Sequence, residues 1–395
     1  MELPTNPLFD RLGVYPLTAF ADKARSLRRD GNGPVHDFSI GDPVEPTDQR
    51  IRDALKDAVT PTSQYPSATG QPALRAAIAT WVMQRFGVEV NPDTQIQPTS
   101  GLKEGIFHTP LALTAPGARK HAAIWGAPGY QPYERGALFA GGTSDPVDLV
   151  PDNDWKLELD TLTPSRLDQA FIAWLNYPHN PTGAVVDLDY YRTQIATARN
   201  HGFVLGSDEC YVDIYRPHDT PPVSLLQAAD GDLTGLLVCF SLSKRSGMTG
   251  YRSGAMIGDE RLIAKLGIMR PNIGTASPDF IQAAAITAWG DESHVAARRE
   301  IFEAKRQVMR AFFDRVGLET SGSQATFYQW VKVPGGDDRA YADALLAKRI
   351  IASPGSAFGS AGSGYIRLAL VPDVPGCEAA CATWEAGITL GEIPS

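Results

Sequence analysis

From Ser241 to Gly254 the chain reads SLSKRSGMTGYRSG, directly after the apolar run Leu236-Leu237-Val238-Cys239-Phe240. A run of that length with turn residues behind it predicts a buried strand. Just past its end stand the hydroxyls of Ser241 and Ser243, one lysine, three glycines and, eight residues beyond the lysine, Arg252. That is the composition of a site. Glycine lets backbone approach a ligand closely. Ser241, Ser243 and Arg252 can meet a phosphate, to which a guanidinium offers a planar two-pronged donor.

The rest of the composition sets limits on what that site serves. A length of 395 residues allows two domains, and 43% hydrophobic with 21% charged residues is ordinary for a soluble globular chain. The formal net charge is −9 and no run of Lys and Arg occurs, which argues against nucleic acid or an anionic membrane as partner. Any anion site must therefore be built locally. Cys210, Cys239, Cys377 and Cys381 sit in or beside apolar segments and read as reduced core or near-core thiols. No His or Cys cluster completes four ligands, so no metal is expected. The N-terminal stretch is polar and broken by proline, and no apolar run reaches membrane-span length, so a cytoplasmic enzyme is expected.

In chain order, a helix is expected over about Pro16 to Arg29, then extended chain from Val35 to Ile40 closed by a Gly41-Asp42-Pro43 turn. A helix opens at Pro72, carries Leu74, Ala77, Ile78, Trp81 and Val82 on one face, and ends at Gly87. Ile96 to Glu104 reads as strand, tight turn and helix start, where free N–H groups favour a phosphate. Strand-like runs follow at His121 to Trp125, Ala170 to Asn176 and Phe203 to Ser207. The last leads into Asp208 and Glu209, whose side chains on extended backbone point to opposite faces, so only one can enter a site. A long amphipathic helix spans about Val295 to Val316, with Ile301, Phe302, Val308 and Phe312 apolar. Beyond it, Ala325 to Val333 reads as a strand, Ala340 to Arg349 as a helix, and Ile350-Ile351 and Tyr365 to Leu370 as strands. Arg367 lies mid-strand among apolar residues and calls for a carboxylate partner.

The Ser-x-Ser-Lys motif with Arg at plus eight and then x-Gly resembles the cofactor-lysine motif of class I/II aminotransferases, which use pyridoxal 5'-phosphate (PLP). Asn180-Pro181-Thr182-Gly183, Asp208-x-x-Tyr211, Gln64-Tyr65 with Gly70, and Arg367 continue the resemblance in family order across most of the chain. It implies that Lys244 carries the cofactor as a Schiff base and moves protons during catalysis, with Asp208 paired to the pyridine nitrogen. It further implies Asn180 and Tyr211 on the phenolic oxygen, Tyr130 stacked on the ring, and Ser241, Ser243 and Arg252 at the phosphate. Ser100, Gly101, Leu102 and Lys103 would form the phosphate cup, although many relatives hold Ser or Thr where Leu102 stands. Tyr65 would reach the phosphate of a neighbouring subunit, which makes the enzyme a homodimer. Arg367, with Asn180 and Gly41, would bind substrate, Arg367 clamping its α-carboxylate. His179 has no family role and reads as structural or at the rim; Glu209 reads as a supporting carboxylate.

The implied fold is α/β, the PLP-dependent transferase fold type I: a large domain over 46–292 with a mostly parallel sheet, and a small α/β domain from 1–45 and 293–395. The stretch from Asn6-Pro7 through Arg11-Leu12 and Tyr15-Pro16 to SIGDP is similar to bacterial succinyldiaminopimelate aminotransferases, as are Ser207 to Tyr211, Pro221-Pro222, Leu225 to Ala229 and Ser241 to Ser246. The resemblance implies glutamate as donor and N-succinyl-2-amino-6-oxopimelate as acceptor, in lysine and diaminopimelate biosynthesis. Alternatives are an aspartate, aromatic or other aminotransferase, a PLP β-lyase, or a non-catalytic PLP-binding regulator. A nicotinamide oxidoreductase is disfavoured, because no Gly-x-Gly-x-x-Gly follows a first strand.

Overall fold

The computed structural model describes residues 3–12, 16–321 and 324–395; Tyr15, part of the N-terminal resemblance, lies outside the described residues. After a two-residue strand β1 (His36–Asp37), seven strands build the main sheet. They are β2 (Ile96–Thr99), β3 (Ala122–Ala127), β4 (Thr143–Asp148), β5 (Ala170–Leu175), β6 (Val204–Asp208), β7 (Leu236–Ser241) and β8 (Gly254–Gly258). Their order is β2-β8-β7-β6-β5-β3-β4, parallel from β4 to β7, with β8 antiparallel to both neighbours. Every residue of β5 and β7 is buried. That is why both read as continuous apolar runs: helices cover both faces of the sheet.

The helix Pro72–Phe86 takes proline in its first turn and stops at Gly87, whose φ of 70° closes the C-terminus in the left-handed region. It buries Leu74, Ile78, Trp81 and Val82. Trp81 meets Phe240 of β7 at 4.9 Å and Trp289, the last residue of the helix Asp279–Trp289, at 4.6 Å between ring centroids.

A second sheet is built from β9 (Thr320–Ser321), β10 (Tyr328–Lys332), β12 (Ser353–Pro354) and β13 (Tyr365–Ala369), in the order β12-β13-β10-β9. The short strand β11 (Ile350–Ile351) pairs in parallel with β1, joining chain from near both ends. The strand expected from Ala325 begins only at Tyr328, because Thr326 turns the backbone to a φ of 65°. The helix Ser293–Val316 ends at Gly317. Its inner face departs from the sequence expectation. Ile301 is 39% exposed, and the buried stripe mixes Phe302, Met309, Phe312 and Phe313 with three cations, Arg298, Lys305 and Arg306. Lys305 pairs with Glu45 and donates to the carbonyls of Leu370 (3.1 Å) and Val371 (3.2 Å), so the helix ties the N-terminal segment to the end of β13.

The carboxyl ends of β2, β3, β5, β6 and β7 lie along one edge, where antiparallel β8 begins: Gly254 faces both Thr99 and Ser241. Sequence-predicted residues sit on the loops leaving that edge. This is where open α/β sheets bind ligands.

Candidate active site

A cavity of about 450 Å³ opens at this edge, closed on its far side by Tyr328 of β10, Arg367 of β13 and Phe358. Gly41, Leu102, Lys103, Tyr130, Asn180, Asp208, Tyr211, Ser241, Ser243, Lys244, Arg252 and Arg367 all line it. Gly41 and Arg367, 326 positions apart, thus converge on one space.

Lys244 follows β7 by three residues, inside the short helix Leu242–Arg245 capped by the Ser241 hydroxyl. Its amine donates to the Gly41 carbonyl. Burial pulls that amine down to about 8, against the opposing influence of Cys210 and Asp42. Arg245 and Ser246 point away from the cavity into a buried polar network. Arg245 pairs with Asp213 at 2.8 Å and lies over the rings of Trp81 and Trp289, while Ser246 meets His294 at 2.8 Å.

Asp208, at the end of β6, is 3% exposed. It accepts from the Tyr133 hydroxyl at 2.9 Å and the Cys210 N–H at 3.2 Å. Burial raises its carboxyl, with those hydrogen bonds pulling the other way. No cation pairs with it among the described residues. Glu209 faces the opposite side and accepts from Ser207 and the Leu225 N–H, with burial lifting it to about 7.

Asn180 is positioned by Asn176, which accepts from the Asn180 N–H at 3.0 Å and donates to the Asp208 carbonyl at 2.7 Å. Arg367 donates to Asn180 Oδ1 at 3.0 Å and to the Ser39 carbonyl at 2.7 Å. The sequence left two carboxylate partners open for Arg367, a substrate's or one of this chain, and the described residues supply none of the second kind. Among the described residues it forms no ion pair, and its Nε is buried without a hydrogen-bond partner. Its guanidinium is instead held between the rings of Tyr328 (4.5 Å) and Phe358 (4.4 Å). A buried cation supported by aromatic faces and lacking its anion is a site for a ligand carboxylate.

Arg252, at a φ of 58°, donates to the Thr249 carbonyl at 2.8 Å and forms no ion pair among the described residues. Gly101 faces it directly: a Cβ at that position would run into the guanidinium. Gly101 also starts the helix Leu102–His108. Leu102 has its side chain in the apolar core with Ile106 and Met256.

Three expected residues do not line the cavity. Gly101 stands behind Arg252. Ser100 sets its hydroxyl against Ser277 at 3.2 Å and donates its N–H to Glu104 at 2.7 Å. Tyr65 is fully exposed in its loop. His179 is buried at 3% exposure against Thr182, and burial holds its imidazole down at about 3, so it is structural rather than at the rim. The four cysteines are free thiols, and Cys210, packed against the core, is also part of the cavity wall.

Tyr133, Asn176 and Tyr328 belong to the site and were not read from sequence, whereas Phe358 lies in the loop Ser353 to Gly359 that the resemblance placed beside Arg367. The one available signal was Tyr133 in Pro-Gly-Tyr-Gln-Pro-Tyr, a second aromatic three residues past Tyr130.

The donor set fits PLP. A guanidinium that lines the cavity and forms no ion pair among the described residues suits a phosphate, and a buried carboxylate without a cation suits a protonated ring nitrogen. A buried lysine amine of lowered pKa suits a carbonyl.

Comparison with known proteins agrees with this chemistry. The family described as aminotransferase class I and II matches residues 34–382. An LL-diaminopimelate aminotransferase from Aquifex aeolicus is 35% identical over 91% of this chain and 94% of its own. The crystal structure of an aminotransferase from Neisseria meningitidis superposes with a TM-score of 0.88 at 31% identity, covering 97% of this chain and 100% of the other. A probable N-succinyldiaminopimelate aminotransferase from Thermus thermophilus superposes at 0.85 with 27% identity, covering 93% and 98%.

Proposed function

The chain belongs to the class I and II aminotransferases, PLP-dependent enzymes, and from that premise we propose that it exchanges an amino group between glutamate and a 2-oxo acid of the diaminopimelate skeleton. The observation that carries the reading is Arg367, a buried guanidinium lacking a carboxylate and facing the same cavity as Lys244. It suits the α-carboxylate common to all substrates of amino transfer. The skeleton is supported by the relatives named for it. The relative of higher identity carries the free LL form, which moves first choice away from the N-succinylated substrate expected from the sequence motifs. The N-succinyl form stands second, favoured by the Thermus neighbour.

Bound in the cavity, PLP supplies an electron sink for the electron pair left at the substrate's Cα. Arg252, Ser241, Ser243 and the chain around Gly101 to Lys103 would hold its phosphate. Asp208 would hold its ring nitrogen, Asn180 and Tyr211 its ring oxygen, and Tyr130 its face. Arg367 binds the substrate carboxylate in two parallel hydrogen bonds and so aims Cα toward Lys244. The Lys244 amine takes the proton from Cα, a task for which a pKa near working pH is the effective choice.

The test supplies PLP-loaded protein with 2-oxoglutarate and either LL-diaminopimelate or N-succinyl-LL-diaminopimelate, and follows glutamate. We expect kcat/KM for one of the two to exceed that for aspartate or phenylalanine at least tenfold. Turnover of neither, beside good turnover of another donor, would reject the skeleton; release of ammonia without use of 2-oxoglutarate would make the protein a lyase.

A further inference from the structure

Tyr328 stands where the substrate side and the cofactor side of the cavity meet, and no motif marks it. It lies on β10, diagonal to Arg367 across the antiparallel pair in which Trp330 faces Arg367 and Tyr328 faces Ala369. Its ring carries the Arg367 guanidinium at 4.5 Å. Its hydroxyl meets the Tyr211 hydroxyl at 2.9 Å and packs so closely on Gly41 that a Cβ there would collide with it.

Both phenols are buried, Tyr211 at 4% and Tyr328 at 3% exposure. Among the described residues each hydroxyl has the other as its hydrogen-bond partner. One proton bridges the pair, and the other must point elsewhere. Either hydroxyl can donate across this pair. If Tyr328 donates, the bridge is satisfied and the Tyr211 proton is turned to the cavity, which both residues line. A hydroxyl that accepts one hydrogen bond is polarised into a stronger donor of the next.

We infer that Tyr328 is a positioning residue with two separable parts: its hydroxyl orients and strengthens Tyr211 as a donor toward the cofactor's ring oxygen, and its ring supports Arg367 for the substrate carboxylate. The inference rests on the reading of this cavity as the PLP and substrate site. Tyr328→Phe removes the hydroxyl and keeps the ring; Tyr328→Leu removes both.

The experiment titrates the visible absorption of the PLP-loaded protein against pH and measures glutamate kinetics for wild type and both variants. A hydrogen bond donated to the ring oxygen stabilises its anion. Losing strength in that bond moves the chromophore's titration to higher pH, by roughly half a unit or more. Tyr328→Phe should show that shift, a kcat lowered roughly tenfold and a KM for glutamate within about twofold of wild type. Tyr328→Leu should add a rise in KM of roughly fivefold or more, from the lost face under Arg367. An unchanged titration in Tyr328→Phe overturns the hydroxyl's role, and an unchanged KM in Tyr328→Leu overturns the ring's. A wild-type protein that takes up no PLP fails at the earlier step, the cavity assignment itself. Circular dichroism of the variants separates these outcomes from misfolding, and a Tyr328→Phe protein that is folded and binds PLP is itself sufficient to decide the first part.

Discussion

Lys244 shows at the scale of one residue how burial makes a reagent of an ordinary side chain. An amine in water keeps its proton to 10.5, whereas this one is brought to about 8 by desolvation. Only the neutral amine attacks a carbonyl, so covalent uptake of PLP by the protein freed of cofactor should accelerate as pH rises through about 8 and then level off. Stopped-flow absorbance checks this; a rate still climbing toward 10.5 would contradict the buried environment. The same shift bears on stability. Between about 8 and 10.5 the unfolded chain binds the proton that the folded one has released, so the cofactor-free protein gains stability as pH rises across that window and loses it as pH falls. Lys244, Asp208, Asn180 and Arg252 are legible in the sequence because each stands in a short motif beside a turn. Tyr133 and Tyr328 are not. Their meaning comes from a hydroxyl meeting Asp208 from 75 residues away and another meeting Tyr211 from 117 residues away, within segments that fold as plain helix and strand.

At the scale of elements, the turn bearing Lys244 is gripped residue by residue from the start of the helix Ser293–Val316. Arg298 donates to the Lys244 carbonyl at 3.4 Å, Arg245 pairs with Glu292, and His294 meets Ser246. Asp213 anchors the same turn from the other side. Burial pushes its carboxyl up, but the guanidiniums of Arg245 and Arg85 overcome this and hold it below the usual carboxylate range. Asp213→Ala would leave Arg85 without an ion pair and Arg245 with Glu292 alone, at a cost of about 3–5 kcal/mol in urea unfolding. A loss under about 1 kcal/mol would mean that water compensates the pair. Central strands such as β5 and β7 are readable because full burial demands continuous apolar sequence. β4 is not, since TSDPVD is a half-exposed edge with a proline, and edge strands share their composition with loops.

At the scale of the whole molecule, Tyr65 is the residue whose role one chain cannot explain. It is fully exposed and outside the cavity, in the loop that leads to Gly70 and the helix Pro72–Phe86. We propose that it completes the cavity of a second copy. Sedimentation equilibrium should then give twice the chain mass of 42.6 kDa, and Tyr65→Ala should weaken PLP binding roughly tenfold, one hydrogen bond to a charged group. A monomer that binds PLP fully would remove the residue from the site. Among the described residues no helix is long and apolar enough to cross a membrane.

Sequence by itself determined the family, the α/β class and the chemistry at the strand ends, because those depend on local matters: an apolar run long enough for a buried strand, a glycine where backbone must bend, a lysine or carboxylate in the turn that follows. Tertiary structure alone decided which polar groups lack partners. Arg367, expected to clamp a substrate carboxylate but equally able by its sequence to close an internal ion pair, faces the cavity without one among the described residues, Ser100 turned to Ser277, and the apolar face expected on the long helix carries three buried cations. Whether a charge is satisfied depends on what the rest of the chain brings within a few ångströms of it, and spacing along the sequence does not contain that distance.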